Sequence, residues 1–118
     1  MKSYHGWRDD DGVAHVIILS NGFRSLPVRL DLVNHSPDGF EWGYGGSGPA
    51  QLALALLADA LEDDKLADLL HQDFKWRHVA SIPQDVGAWH MTADEVRAAA
   101  NAIRQNIAIE TLPNVVLR

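Results

Sequence analysis

Six histidines, His5, His15, His35, His71, His78 and His90, come first, because imidazole serves both proton transfer and metal ligation near neutral pH. His35, Asp38 and Glu41 fall at three-residue intervals, which on a helix would bring an imidazole and two carboxylates to one face and to a single metal ion. Pro37 and Gly39 lie inside that stretch and argue against the helix. With no cysteine and no His-Glu-x-x-His pair in the chain, neither a thiolate nucleophile nor a zinc site of familiar spacing is expected. No metal and no cofactor is assigned. Asp38 with Glu41 as a hydrolytic pair, or His35 as base to Ser36 or Ser47, would need partners that meet in space and a third group to orient them. Ser36-Pro37-Asp38 reads instead as a turn, and no catalytic residue is assigned. His15 alternates with Val13 and Ile17 as a strand histidine, while His78 and His90 flank Trp76 and Trp89, where packing and a hydrogen bond are expected.

The segment from His35 to Gln51 is the most distinctive in the chain. It carries Gly39, Gly43, Gly45, Gly46 and Gly48 among Phe40, Trp42 and Tyr44. Glycine-rich backbone entering a helix presents N–H donors at the positive end of the helix dipole, where phosphate or carboxylate binds. Trp42 and Tyr44 could stack a base there, with Gly45, Gly46 and Ser47 as the anion cradle. No lysine follows the glycines as in a P-loop, and no strand-turn-helix unit of dinucleotide-binding length surrounds them. The competing use of the same residues is structural: glycines that turn the chain and let rings pack on backbone.

The elements that must hold these residues can be read from periodicity. Tyr4 to Arg8 reads as a strand, Asp9-Asp10-Asp11-Gly12 as a turn, and Val13 to Leu19 as a central strand covered on both sides, since apolar residues occupy both alternating faces. Asn21-Gly22 predicts a hairpin turn into a third strand from Phe23 to Leu26. Val28 to Leu32 fits a strand or one helical turn equally. Ser47-Gly48-Pro49 predicts a helix start, with Ser or Gly as cap and Pro at the first helical position. The helix that follows, Ala50 to Ala58, is apolar nearly all round and must be buried. A second amphipathic stretch with Leu66, Leu69 and Leu70 follows a kink. Phe74, Trp76, His78, Ala80 and Ile82 alternate with Lys75, Arg77, Val79 and Ser81, the period of a strand, which Pro83 ends. Thr92 to Glu95 has the spacing of a capping box, opening a helix from about Ala93 to Asn106, and the tail beyond contains Pro113 and the apolar run Val115-Val116-Leu117. The sum is an α+β fold in one domain, residues 1–118: an antiparallel sheet packed against a central buried helix, with a C-terminal helix. At 118 residues the doubly wound and barrel architectures are too large to fit.

The run GFEWGYGGSGPAQLALALL, Gly39 to Leu57, with Arg29 to Leu32 and His35-Ser36-Pro37 upstream, resembles a family of small uncharacterised bacterial, phage and mobile-element proteins classified as a domain of unknown function. That resemblance implies a context rather than a mechanism: small acidic proteins that bind host machinery, anti-CRISPR inhibitors of defence systems among them.

Charge sharpens the partner. The formal charge is −6, and residues 59–73 alone carry −5, from Asp59, Glu62, Asp63, Asp64, Asp68 and Asp73 against Lys65. Direct nucleic-acid binding is therefore not expected, whereas a basic groove of a host nucleic-acid-binding complex would suit Glu62, Asp63 and Asp64 as contacts. The alternative to that patch is the solvated side of a helix. Trp7, Trp42, Trp76 and Trp89 belong mostly in the core, with one exposed ring as a potential interface anchor. The longest helix-like apolar segment, Pro49 to Ala58, is too short to span a bilayer, and the N-terminus shows no signal-peptide pattern, so a cytoplasmic protein is expected.

Overall fold

The computed structural model describes residues 1–111. Strands β1 (Ser3–Arg8), β2 (Ala14–Leu19), β3 (Phe23–Ser25) and β4 (Ala88–Thr92) form one antiparallel sheet in the order β3-β2-β1-β4. Helices α1 (Ser47–Leu61), α2 (Asp64–Phe74) and α3 (Ala93–Thr111) complete an α+β architecture. The N-terminal meander follows its turn residues. Gly12 takes φ 80° in the first turn, and Asn21 and Gly22 take φ 55° and 126° in the second, the left-handed values that only such residues adopt cheaply. Between Leu26 and Leu32 there is neither strand nor helix but a turn, with Arg29 at φ 60° and the Leu32 N–H donating to the Arg29 carbonyl at 3.1 Å.

The apolar helix α1 is the centre of the core, with Leu52, Ala53, Leu54, Leu56 and Leu57 wholly buried. It starts at Ser47 with Gly46 as an extended cap, so Pro49 lies two residues further inside the first turn than its spacing implies, still where a missing N–H costs nothing. The expected kink is a full break. Glu62 enters the left-handed region at φ 53° and Asp63 caps α2 by accepting the Leu66 N–H at 3.0 Å.

Three expectations are corrected. Phe74 to Ile82 is not a strand: Phe74 ends α2, and Lys75–Val79 continues as a π-helical turn closed by the Ala80 N–H on the Lys75 carbonyl at 2.8 Å. Phe74, Lys75 and Val79 are the residues it buries, a helical set rather than every second residue. The fourth strand is instead Ala88–Thr92, beside β1. Finally, β2 is central but covered on one face, where Val16 and Ile18 are buried, while Leu19 on the other is 43% exposed. The capping box forms as spaced, with Glu95 N–H to Thr92 Oγ1 at 3.0 Å and Thr92 N–H to Glu95 Oε1 at 3.2 Å, and its helix runs to Thr111 rather than Asn106. The run Val115-Val116-Leu117 lies outside the described residues.

Candidate functional site

The glycine-aromatic loop is used internally. Trp42 is completely buried, in edge-to-face contact with Trp89 at 5.5 Å, and the Arg8 guanidinium lies 4.5 Å from its ring centre while pairing with Glu41 at 2.7 Å. The Trp76 ring occupies the space a Cβ on Gly45 would need, the Tyr44 ring does so at Gly46, and the Glu41 side chain at Gly48. Gly43, at φ 87°, lies against Ile82 and Gln84 and donates to the Val79 carbonyl at 3.1 Å. Of the five candidate ligand residues, Tyr44 and Ser47 are exposed, Gly45 and Gly46 lie under rings of the chain itself, and Trp42 is in the core.

The loop is also clasped from α1. Gln51 is fully buried; its side-chain oxygen accepts the His35 and Ser36 N–H groups at 2.8 and 3.1 Å, and its amide donates to the Val28 and Val33 carbonyls at 2.7 and 3.1 Å.

Three of the six acidic residues in 59–73 are likewise committed. Asp59 accepts the Tyr4 hydroxyl at 2.6 Å and pairs with Lys2 at 3.0 Å and Arg24 at 3.6 Å. Burial, then the bond to Asp59, pushes the Tyr4 phenol well above its ordinary range. Asp63 is a helix cap, and Asp64 pairs with Arg29 at 2.8 Å, which also holds Asp31 at 3.0 Å. Glu62 remains as an exposed carboxylate with no ion pair among the described residues.

His35, Asp38 and Glu41 do not converge. His35 turns to His71, Nε2 to Nε2 at 2.9 Å, whereas Glu41 turns to Arg8. His71 donates from Nδ1 to the Asp68 carbonyl at 2.6 Å, which leaves its Nε2 lone pair to accept the His35 N–H. Burial, His71 and Lys75 hold the His35 imidazole below the usual histidine range. Among the described residues no group of three or more His, Cys, Asp or Glu could hold a metal ion.

Two further features arise from the packing of the elements. The first is the open face of the sheet. Register places Tyr4, Gly6, Val16, Ile18 and Trp89 on the buried side and His5, Trp7, His15, Ile17, Leu19, Phe23 and His90 on the other. Trp7 stacks on His15 at 5.4 Å and His5 on His90 at 5.8 Å, while Phe23 is 77% exposed. An antiparallel sheet ordinarily sends its charges to the solvent face. Here the strand cations Arg8 and Arg24 share the parity of the buried residues, so no carboxylate, lysine or arginine of the strands stands on the open face. That inversion of parity was present in the sequence as a signal. The second is a cleft of about 450 Å³ between the end of α2, the π-helical turn, β4 and α3, lined by Phe74, His78, Met91, Glu95, Val96, Ala98 and Ala99.

The chain belongs to DUF6166, a family of unknown function, whose model matches residues 4–102, from β1 into α3. No curated protein and no solved structure matches it. No helix among the described residues is long and apolar enough to cross a membrane.

Proposed function

We propose that the chain is a small non-enzymatic protein-binding module that meets its partner with the open face of its sheet. One observation carries this reading: on a chain of net charge −6, the strand residues of this face include no carboxylate, lysine or arginine, with Leu19 and Phe23 opposite one another and exposed. Burying such a face against a protein releases water from apolar surface, and the Asp9 carboxylate beside it is already paired with His15 at 2.8 Å, which favours association. A basic partner would draw on the acidic side of the molecule, but there Asp63 and Asp64 already serve the fold, and Glu62 is the free carboxylate of the proposed trio. The wider setting extends the resemblance of residues 39–57: a protein of phage or mobile-element origin, acting in the cytoplasm on a host nucleic-acid-binding complex, with inhibition of a CRISPR-type defence system as the activity to assay.

The alternative reading, a nucleotide or phosphate ligand held by residues 39–51, has the exposed Tyr44 and Ser47 in its favour. Against it stand the burial of Trp42 and the ring over Gly45.

The test is capture from a host lysate by the immobilised chain, comparing wild type with the Leu19→Ser, Phe23→Ser double variant. Both positions are exposed, so folding should survive; the expected result is loss of specifically captured proteins, about 100-fold in affinity for two large apolar contacts. Equal capture by the double variant, at unchanged Tm, refutes the face as the contact surface.

A further inference from the structure

The cleft behind the sheet has a composition of its own. Its walls are apolar, with Phe74 and Val96 buried beneath and Met91, Ala98 and Ala99 at the sides. Two polar side chains enter it, His78 and Glu95. The cleft exists because α3 presents alanines where larger residues would close the gap, and because the π-helical turn carries His78 to the cleft wall against Phe74, ring centres 5.0 Å apart. Single π-helical turns of this kind recur at functional sites. A cavity of about 450 Å³ falls in the range that small-molecule sites occupy.

The two polar groups have unused capacity. Glu95 spends one carboxylate oxygen on the Thr92 N–H, and the other accepts no hydrogen bond from the described residues. Neither ring nitrogen of His78 has a hydrogen-bond partner among them. Burial and the neighbouring Arg77 hold the His78 imidazole below the usual histidine range, so at neutral pH one ring nitrogen is an acceptor. Arg77 is exposed and does not line the cleft. Asp94, beside Glu95, is paired with Arg97 at 2.6 Å.

We propose that this cleft binds an apolar primary amine, its hydrocarbon part on Phe74, Met91 and Val96 and its ammonium group shared by Glu95 and His78. An ammonium has three N–H donors and no acceptor, which matches one free carboxylate oxygen and one imidazole lone pair. A carboxylate ligand would meet Glu95 as a like charge. The acidic chain as a whole also concentrates cations near its surface.

The experiment is a titration of the full chain with phenethylamine, followed through the methyl resonances of Met91, Ala98 and Ala99. The expected result is saturable shifts at about 1 mM or below, the weak end of small-ligand affinity. Glu95→Gln retains the capping geometry, because glutamine also accepts in a capping box, and should weaken binding about tenfold by removing the charge. Ala98→Leu adds a strong helix former at an exposed position and should abolish binding by filling the cleft. Phenylpropionate, of similar size and opposite charge, should not bind. Absence of saturation overturns the proposal, as does equal binding of the carboxylate or indifference to Ala98→Leu in a variant of unchanged Tm. The Leu19→Ser, Phe23→Ser variant should bind phenethylamine normally, which keeps this result separate from that for the sheet face.

Discussion

Gln51 holds His35 by its backbone: from a buried position on α1, its side-chain oxygen accepts the His35 N–H at 2.8 Å across 16 residues of chain. The same amide accepts from Ser36 and donates to Val28 and Val33, so one side chain satisfies four backbone groups of the 28–36 loop. Gln51→Leu, of similar shape, would leave all four without that partner in a half-buried setting. The expected loss is about 3 kcal/mol, because desolvated backbone groups left unpaired cost more than the bonds are worth in net terms. Urea unfolding of both proteins checks it, and a loss under about 1 kcal/mol would mean that water replaces the clasp.

Gly6 and Gly45 both face tryptophan rings, yet they should respond differently. Trp89 over Gly6 is buried, so Gly6→Ala forces a core ring to move and is expected to cost about 2–3 kcal/mol. Trp76 over Gly45 is 61% exposed and can swing into water, so Gly45→Ala should cost under about 1 kcal/mol. Tryptophan emission distinguishes them: a red shift on a folded protein for Gly45→Ala, a lowered Tm for Gly6→Ala.

Charge removal or reversal at residues 62–64 should separate into three outcomes. Asp63→Ala removes the α2 cap and should cost about 1 kcal/mol. Asp64→Lys breaks an exposed pair with Arg29 worth about 0.5 kcal/mol. Glu62→Lys should leave Tm unchanged, and is therefore the substitution with which partner binding by this patch is to be assayed. If Glu62→Lys alone abolished capture, the acidic side would displace the sheet face as the contact.

Acidification should destabilise the fold through His35 and His78. Burial first, with His71 and Lys75 around one and Arg77 beside the other, lowers both below the usual histidine range. The unfolded chain therefore binds protons more readily than the folded one. Stability from these groups is complete above the ordinary histidine value of about 6.5 and is lost as the pH falls through the lowered values. Tm measured from pH 7.5 down to about 5 should decline, and His35→Asn should make that decline shallower. An unchanged slope would show that other groups carry it.

Tyr4 and Asp59 bind the sheet to α1 through a 2.6 Å hydrogen bond. Tyr4→Phe should cost about 1–2 kcal/mol, because it leaves the mostly buried carboxylate short of one donor while Lys2 and Arg24 remain. Asp59→Ala should cost more, since it leaves the buried Tyr4 hydroxyl unpaired and removes the partner of the partly buried Lys2. Chemical unfolding of the two variants tests the order.

The elements set by local chemistry were legible in the sequence: the Asn21-Gly22 turn, the apolar run of α1 and the Thr92 to Glu95 capping box each form within a few residues of their expected bounds. A left-handed turn, an all-apolar helix and a reciprocal cap need little from the rest of the chain. The alternation in Phe74 to Ile82 fits a strand as well as a helix that packs Phe74, Lys75 and Val79, and Ala88 to Thr92 is short and becomes a strand only by pairing with β1. The candidate site divided along the same line. Residue types in the 35–51 segment suggest a ligand cradle, but only tertiary structure decided that Trp42 enters the core, that Trp76 covers Gly45 and that Gln51 clasps the loop, since these contacts join residues 15 or more apart. The open sheet face and the cleft arise from packing between elements: the parity of Arg8 and Arg24 is written in the strands, but which side of the sheet the helices cover is decided only by tertiary packing.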